Sequence, residues 1–137
     1  MSLLPGAPTA SGRSAATRTM VCYLEDLDRE RGVAALVDGV QLALFRTHDD
    51  RVYAVQQLDP HSGAQVISRG IVGSRGDVPT VASPMYKQVF DLRDGRCLDE
   101  ETAPDGTPAV LRVWQVRRVS RGVNTSSQLV GAGVREP

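Results

Sequence analysis

The sequence predicts an all-β protein, and three observations favour that fold class. Short runs rich in Val, Leu, Ile, Tyr and Phe recur along the chain, separated by Gly, Pro and Asp, as in proteins built from many short strands. The pair Asp38-Gly39 lies between two such runs, and this dipeptide favours the left-handed geometry of a tight hairpin turn. No segment has a sustained helical period, apart from a short turn predicted after Leu24.

The predicted strands begin near Met20, and a charged connection over residues 25–32 follows the first of them. The longest β-like run, residues 109–119, loses its alternation at Val113-Trp114, which predicts either a bulge or a strand covered on both faces. The strands are predicted at residues 20–24, 33–37, 40–45, 52–55, 78–81, 89–92 with 97–98, and 109–119.

The length of 137 residues indicates one domain with a single modest core. Residues 1–16 contain few large apolar side chains, so we expect a disordered segment that cannot offset the entropy of ordering. We place the domain at residues 17–120. Residues 121–137 are expected to form a loose C-terminal tail.

The charge balance argues against two classes of partner. Lys plus Arg and Asp plus Glu each number 16, so the formal charge is zero and the chain lacks the positive field that attracts nucleic acid or an anionic membrane. No apolar run approaches the roughly 20 residues needed to cross a bilayer. Residues 1–16 do not have the apolar centre of a signal peptide, and we therefore expect a cytoplasmic protein.

Several residues with chemical potential have a simpler structural interpretation. Cys22 and Cys97 could form a disulfide, contribute to a metal site or pack as small apolar side chains, and we favour the last because free Cys is often buried. Trp114 is interpreted as a core residue. The acidic groups Asp49-Asp50 and Asp99-Glu100-Glu101 are interpreted as solvated charges in turns, so no catalytic carboxylate pair is predicted.

Two loop motifs are the most informative part of the sequence: Asp59-Pro60-His61-Ser62-Gly63-Ala64 and Ser83-Pro84-Met85-Tyr86, the second followed by Phe90-Asp91. They resemble the ligand loops of the Rieske ferredoxin family, Cys-x-His-x-Gly-Ala and Cys-Pro-x-His-Gly with a following Phe-Asp. A Rieske centre needs two thiolates on one iron and two imidazoles on the other. At the four ligand positions this chain has Asp59, His61, Ser83 and Tyr86, so that only His61 matches.

A Rieske-like chain with these replacements is similar to the small-subunit family of NADH-dependent assimilatory nitrite reductases. The resemblance implies an antiparallel sandwich or partly open barrel that carries a small loop subdomain. It also implies an accessory subunit without catalytic, cofactor-binding or metal-binding residues of its own. The expected partner is a large catalytic subunit that carries FAD, an iron–sulfur cluster and sirohaem and reduces nitrite to ammonium.

Two other functions remain open from the sequence. An electron-carrier ferredoxin would share the fold, but the replaced ligands argue against it. A free-standing Rieske-like binding module would need no reductase at all. The sequence leaves open whether the chain alone is an enzyme, whereas in the subunit interpretation the chain is part of nitrite reductase (NAD(P)H).

The replacement residues predict what holds the loops together without a metal. Asp59 before Pro60 can accept hydrogen bonds from nearby backbone N–H groups, and Ser83 before Pro84 can do so more weakly. Our hypothesis is that a side-chain hydrogen bond to the opposite loop, such as one from His61 or Tyr86, replaces the metal in tying the loops together. We interpret His61 as a structural residue whose imidazole hydrogen-bonds the loop backbone.

We predict that the isolated protein, purified anaerobically, contains no stoichiometric iron or acid-labile sulfide. The physical reason is that a carboxylate, a hydroxyl and a phenol replace two thiolates and an imidazole. Iron and sulfide analysis, with electron paramagnetic resonance of the dithionite-reduced sample, provides the measurement. A reduced-state signal with matching iron content would contradict the prediction.

Overall fold

The computed structural model describes residues 19–121 and 124–134, and these form two antiparallel sheets. The larger sheet has six strands in the order β1-β9-β8-β4-β3-β2, and the smaller has the order β5-β6-β7. The strands are β1 (Thr19–Tyr23), β2 (Arg31–Val37), β3 (Val40–Arg46), β4 (Val52–Gln56), β5 (Ile71–Arg75), β6 (Val78–Ala82), β7 (Val89–Asp91), β8 (Val113–Arg121) and β9 (Asn124–Val134).

The larger sheet curves until its outer strands, β1 and β2, approach one another, so it is a nearly closed barrel. Short 3-10 helices at Leu24–Asp26 and Ile67–Arg69 occupy the connections after β1 and before β5. Among the described residues, no helix is long and apolar enough to span a membrane. The predicted all-β class and the partly open barrel with a smaller accompanying unit are therefore confirmed.

Two hydrophobic cores lie on opposite faces of the barrel wall, and β3 contributes to both. Leu42 and Leu44 pack in the core shared with Trp114 and Val130, whereas Ala43 and Phe45 face the smaller sheet. Because both faces of β3 are covered, the apolar run in this strand is nearly continuous rather than alternating. The second core joins the two sheets through buried side chains that include Phe45, Val55, Val81 and Phe90.

The Asp38-Gly39 hairpin is confirmed in the structure. Val37 pairs with Val40, and the two residues between them have φ angles of 51° and 80°. Positive φ at both central positions is what a two-residue hairpin turn of the favoured type requires. The turn sets the register of the seven residue pairs between β2 and β3.

The prediction of a loose tail over residues 121–137 is wrong for most of that segment. Residues Asn124–Val134 form β9, which pairs with β8 on one side and β1 on the other. The sequence of this strand contains small and polar residues with little alternation, so tertiary pairing rather than local propensity places it in the sheet. Residues 122–123 and 135–137 lie outside the described residues, as does the predicted disordered segment 1–16.

The structure contains one strand that was not predicted, and it decides between the two alternatives predicted at Val113-Trp114. The run after Gly70 was not predicted to be a strand, yet Ile71–Arg75 forms β5 and pairs along its whole length with β6. At Val113-Trp114 the structure shows coverage on both faces rather than a bulge. Val113 packs beside the core between the sheets, Trp114 lies in the barrel core, and the pairing with β4 runs through both residues without a shift.

Asp50 contacts arginine residues from several separate segments of the chain. The interpretation of this residue as a solvated charge in a turn did not predict these contacts. Its carboxylate pairs with Arg29 at 2.7 Å and with Arg46 at 2.9 Å, and its backbone carbonyl accepts a 2.6 Å hydrogen bond from Arg118. The hydrogen bond from Arg29, followed by the pairing with Arg46, lowers the pKa of Asp50 from 3.8 to about 2. The residue has φ of 65°, a left-handed conformation that Asp and Asn tolerate.

We predict that Asp50→Asn lowers the melting temperature at neutral pH. The folded-state pKa lies below the unfolded value, so the stabilisation by the carboxylate is complete above the unfolded pKa of 3.8 and disappears as pH falls through about 2. Thermal melts of both proteins across this pH range, at low salt, provide the measurement. Asp77→Asn, at a position without an ion pair in the described part of the chain, is the control. A melting-temperature difference that persists unchanged in acid would contradict the prediction.

Candidate functional site

Two loops form what we call the tip: the first loop, residues 59–64, follows β4, and the second loop, residues 83–88, joins β6 to β7. Both loops are closed by the same pair of backbone hydrogen bonds. The N–H of the first residue donates to the carbonyl five residues on, and the N–H four residues on donates back to the first carbonyl. These bonds are Asp59 N to Ala64 O (2.8 Å), Gly63 N to Asp59 O (2.8 Å), Ser83 N to Gln88 O (2.9 Å) and Lys87 N to Ser83 O (3.0 Å).

The fifth position of each loop has a left-handed backbone. Gly63 has φ of 77°, a conformation that glycine adopts without steric cost, and Lys87 has φ of 67°. Lys87 stands where the Rieske ferredoxin motif has Gly. Lys87 therefore adopts the left-handed backbone that glycine favours, although it carries a side chain.

The carboxylate of Asp59 lies at the centre of the tip and is completely buried. Its Oδ1 accepts a hydrogen bond from the backbone N–H of His61 at 2.9 Å. Its Oδ2 accepts from the hydroxyl of Ser62 at 3.0 Å and from that of Ser83 at 2.6 Å. Three donors thus compensate the desolvation of this carboxylate, because buried polar groups are stable only when they are hydrogen-bonded.

The bond between Ser83 and Asp59 is the side-chain hydrogen bond that crosses from one loop to the other. Ser83 is itself completely buried, and its Oγ also accepts the N–H of Met85 at 3.2 Å. The predicted side-chain hydrogen bond between the loops is therefore present, but its donor is Ser83 and not His61 or Tyr86. The hydroxyl of Ser83 can donate a hydrogen bond, and the fold places it beside a carboxyl oxygen of Asp59 that accepts one.

His61 is buried, and neither of its ring nitrogens has a hydrogen-bond partner among residues 19–121 and 124–134. Its side chain is 3% exposed, and Nδ1 lies 3.8 Å from Oδ1 of Asp59, which is too long for a hydrogen bond. The ring instead packs at a tilted angle against Phe90, with 5.9 Å between the ring centroids. The prediction that the His61 imidazole hydrogen-bonds the loop backbone is therefore wrong, because only the backbone N–H of this residue donates, and it donates to a carboxylate.

Apolar side chains are exposed on the outside of the tip. Met85 is 49% exposed and Tyr86 is 58% exposed, and Leu58, which directly precedes the first loop, is 39% exposed. Tyr86 is consequently not part of the buried cluster around Asp59, although it occupies one of the four ligand-like positions. The tip thus has a hydrogen-bonded polar cluster inside, and its outer surface carries exposed apolar side chains beside the charge of Lys87.

The residues of the tip do not fit a [2Fe-2S] cluster. The four positions provide a carboxylate that already accepts three hydrogen bonds, a hydroxyl that donates one of them, one imidazole and an exposed phenol. A Rieske centre requires two thiolates and two imidazoles. Within the described ranges, no group of three or more His, Cys, Asp or Glu side chains is arranged to hold a metal ion.

The two cysteines lie outside the tip and are not paired with each other. Cys97 is buried in the core between the sheets, as predicted for a small apolar side chain. Cys22 lies on β1 beside the barrel core, where burial and the nearby Asp26 raise the pKa of its thiol from 9.0 to about 11. Neither residue therefore supplies a thiolate to the loops.

Sequence reasoning missed Ser62 and the pairing of Ser83 with Asp59. A usable signal was present, because the Rieske motif places its two thiolates on the same iron. Residues 59 and 83 must then be neighbours in space, and an acceptor and a donor at these positions predict a hydrogen bond. Ser62, three residues after Asp59, is a hydroxyl that can return to the same carboxylate.

A family model described as Rieske-like [2Fe-2S] domain matches residues 18–126. The chain belongs to this family. Among curated Rieske-like relatives, the small subunit of nitrite reductase (NADH) from Salmonella typhimurium is 42% identical over 82 residues, which cover 59% of this chain and 76% of that protein. These matches confirm the predicted resemblance to the nitrite reductase small-subunit family.

This chain is also similar to part of a much longer protein and to a solved structure of similar length. The nitrite reductase [NAD(P)H] large subunit of Klebsiella oxytoca is 41% identical over 97 residues, which are 71% of this chain but only 9% of that protein. A crystal structure from Mycobacterium tuberculosis, provisionally named as an NADH-dependent nitrite reductase small subunit, superposes with a TM-score of 0.71 at 41% identity. The superposition covers 88% of this chain and 97% of the other.

We predict that His61→Phe leaves the stability of the domain nearly unchanged. The imidazole makes no hydrogen bond that the substitution would remove, and a second aromatic ring can keep the contact with Phe90. We expect the melting temperature to stay within about 4 °C of the wild-type value, the shift that ~1 kcal/mol produces in a domain of this size. A much larger loss would mean that the imidazole has a polar partner of structural importance.

Proposed function

We propose that this protein is the accessory small subunit of an NADH-dependent nitrite reductase, and that it acts by binding the catalytic large subunit through its tip. In this proposal the chain has no redox centre and no catalytic residue. It contributes to an enzyme only within the complex, which reduces nitrite to ammonium during nitrate assimilation in the cytoplasm. FAD, an iron–sulfur cluster and sirohaem belong to the large subunit.

The similarity to named nitrite reductase subunits is the observation that carries the proposal. The Salmonella typhimurium relative is named as a small subunit, and the chain covers most of that protein. The Klebsiella oxytoca relative is named as a large subunit and contains a region similar to this chain within one long polypeptide. Such a covalent arrangement keeps the small domain next to the rest of that subunit, which supports a partnership between separate chains here.

The chemistry of the tip supports the proposal that the small subunit lacks a cluster. Every oxygen of the Asp59 carboxylate already accepts at least one hydrogen bond, and Ser83 both donates and accepts. A hydroxyl is a poor iron ligand in comparison with a thiolate, and a single imidazole cannot replace the missing donors. An electron-carrier role for this chain is disfavoured for the same reason.

The exposed residues of the tip support the choice of this surface for docking. Met and Tyr are enriched in protein interfaces relative to the remaining surface, and Met85 and Tyr86 are adjacent and exposed. The backbone hydrogen bonds that close the second loop hold both residues in a defined turn. A surface that is ordered before binding loses less conformational entropy on association than a flexible one.

We predict that Lys87→Asp changes the association rate with the large subunit in a salt-dependent way. Lys87 is exposed at the turn of the second loop, and Asp tolerates its left-handed backbone better than most residues. Charges at the rim of an interface act mainly on the association rate, and salt screens them. We expect a change of roughly threefold or more at low salt that diminishes at high salt, measured by surface plasmon resonance.

Arg117→Glu on β8 is the matched control for this charge reversal, because Arg117 is exposed and distant in sequence from the tip. Its rate should follow that of the wild-type protein. If Arg117→Glu alters the rate and Lys87→Asp does not, the interface lies on β8 and the docking surface proposed here is wrong. If the wild-type protein does not associate with the large subunit at all, the proposed function fails.

A further inference from the structure

The docking surface proposed above does not include the hydrogen-bonded cluster of Asp59, Ser62 and Ser83. Asp59 and Ser83 are completely buried, Ser62 is half-buried, and the hydrogen bonds of all three side chains are internal to the tip. We propose that Asp59 and Ser83 are positioning residues, whose hydrogen bond ties the two loops together at the place where Rieske proteins use a metal. The tie holds Met85 and Tyr86 in their docking arrangement.

Two consecutive hydrogen bonds connect the buried carboxylate of Asp59 to the backbone of the exposed Met85. The N–H of Met85 donates to Oγ of Ser83, and the Ser83 hydroxyl donates to Asp59. The first loop repeats this arrangement, because the N–H of Ala64 donates to Oγ of Ser62, which in turn donates to Asp59. One carboxylate thus terminates a hydrogen-bonded chain from each loop, so a movement of either loop disturbs the other.

The loops come from different sheets, which makes such a tie necessary. The first loop follows a barrel strand, and the second loop connects two strands of the smaller sheet. Backbone hydrogen bonds close each loop on itself but do not join the loops. Cross-loop order at the tip therefore depends on side chains, and the Ser83–Asp59 bond, at 2.6 Å between two fully buried residues, is the hydrogen bond that joins the two loops.

Native-state hydrogen exchange of the isolated protein, followed by NMR, tests the tie without any partner. In Ser83→Ala we expect the amides of Gly63 and Lys87 to exchange at least tenfold faster than in the wild type, because each closes one of the two loops. The effect on Gly63 is decisive, since it lies in the loop that was not changed. Acceleration confined to the second loop would overturn the proposal.

Thr47→Val is the matched control. Thr47 is buried, donates its hydroxyl to the carboxylate of Asp49 and accepts the N–H of Arg51, so the substitution removes a similar pair outside the tip. Exchange at Gly63 and Lys87 should not change in this variant. Equal acceleration by Thr47→Val and Ser83→Ala would show a general loss of stability and would also overturn the proposal.

Asp59→Asn is a second variant, which keeps the size of the side chain but presents an amide NH₂ group to the hydroxyl donors. We expect faster exchange in both loops here as well. If Ser83→Ala and Asp59→Asn both lose the circular dichroism of the folded sheets while Thr47→Val remains folded, the pair stabilises the whole domain. That outcome would contradict a role limited to positioning the tip.

The docking half of the inference rests on the proposed function and is measured separately. Folded Ser83→Ala should bind the large subunit at least tenfold more weakly than the wild type, whereas Thr47→Val should bind normally. Failure of the wild-type protein to bind would refute the proposed function but leave the exchange result standing. Wild-type affinity in a Ser83→Ala protein whose loops exchange rapidly would show that the tie does not position the docking residues.

Discussion

The hydrogen bond from Ser83 to Asp59 joins two loops that arise from separate sheets and that share no backbone hydrogen bond. The sheets determine where the loops begin, because Val55 of β4 and Val81 of β6 pack in the same core a few residues before the respective loops. Packing alone brings the loop bases together. The direction of the loop ends then depends on the carboxylate, which accepts donors from both sides.

A carboxylate and a metal centre impose different constraints on the same pair of loops. A Rieske cluster requires deprotonated thiolates and neutral imidazoles as ligands, and it is itself a redox centre. Hydrogen bonds can join neighbouring loops without introducing redox chemistry. For the accessory subunit proposed here, order at the tip is the property that docking requires, and the buried polar cluster provides it.

Part of this structure could be predicted from the sequence because local signals and tertiary structure agree. The turn at Asp38-Gly39 is an example, since its backbone geometry is encoded in two residues. By contrast, β9 lacks alternation and gains its place from pairing with strands on both sides. The ion pairs of Asp50 were missed for a related reason: Arg29 is distant in sequence, and only the fold brings it close.

The candidate site was likewise predictable only where local sequence motifs determine the structure. The positions of the two loops followed from their motifs, and the buried state of Asp59 and Ser83 agrees with their place in the Rieske pattern. Which side chain crosses between the loops could not be read from the residue types singly, because Tyr86, His61 and Ser83 can all donate a hydrogen bond. In the structure Tyr86 is exposed to solvent and the described part of the chain offers no hydrogen-bond partner to the His61 ring, so that Ser83 is the donor.

Hydrogen–deuterium exchange of this chain alone and in complex with the large subunit, analysed by mass spectrometry, tests most directly whether the tip is the docking surface. The account predicts that peptides containing residues 58–64 and 83–88 become protected in the complex, while β8 and β9 exchange as in the free protein. Protection confined to β8 and β9, in a complex shown to have formed, would contradict it.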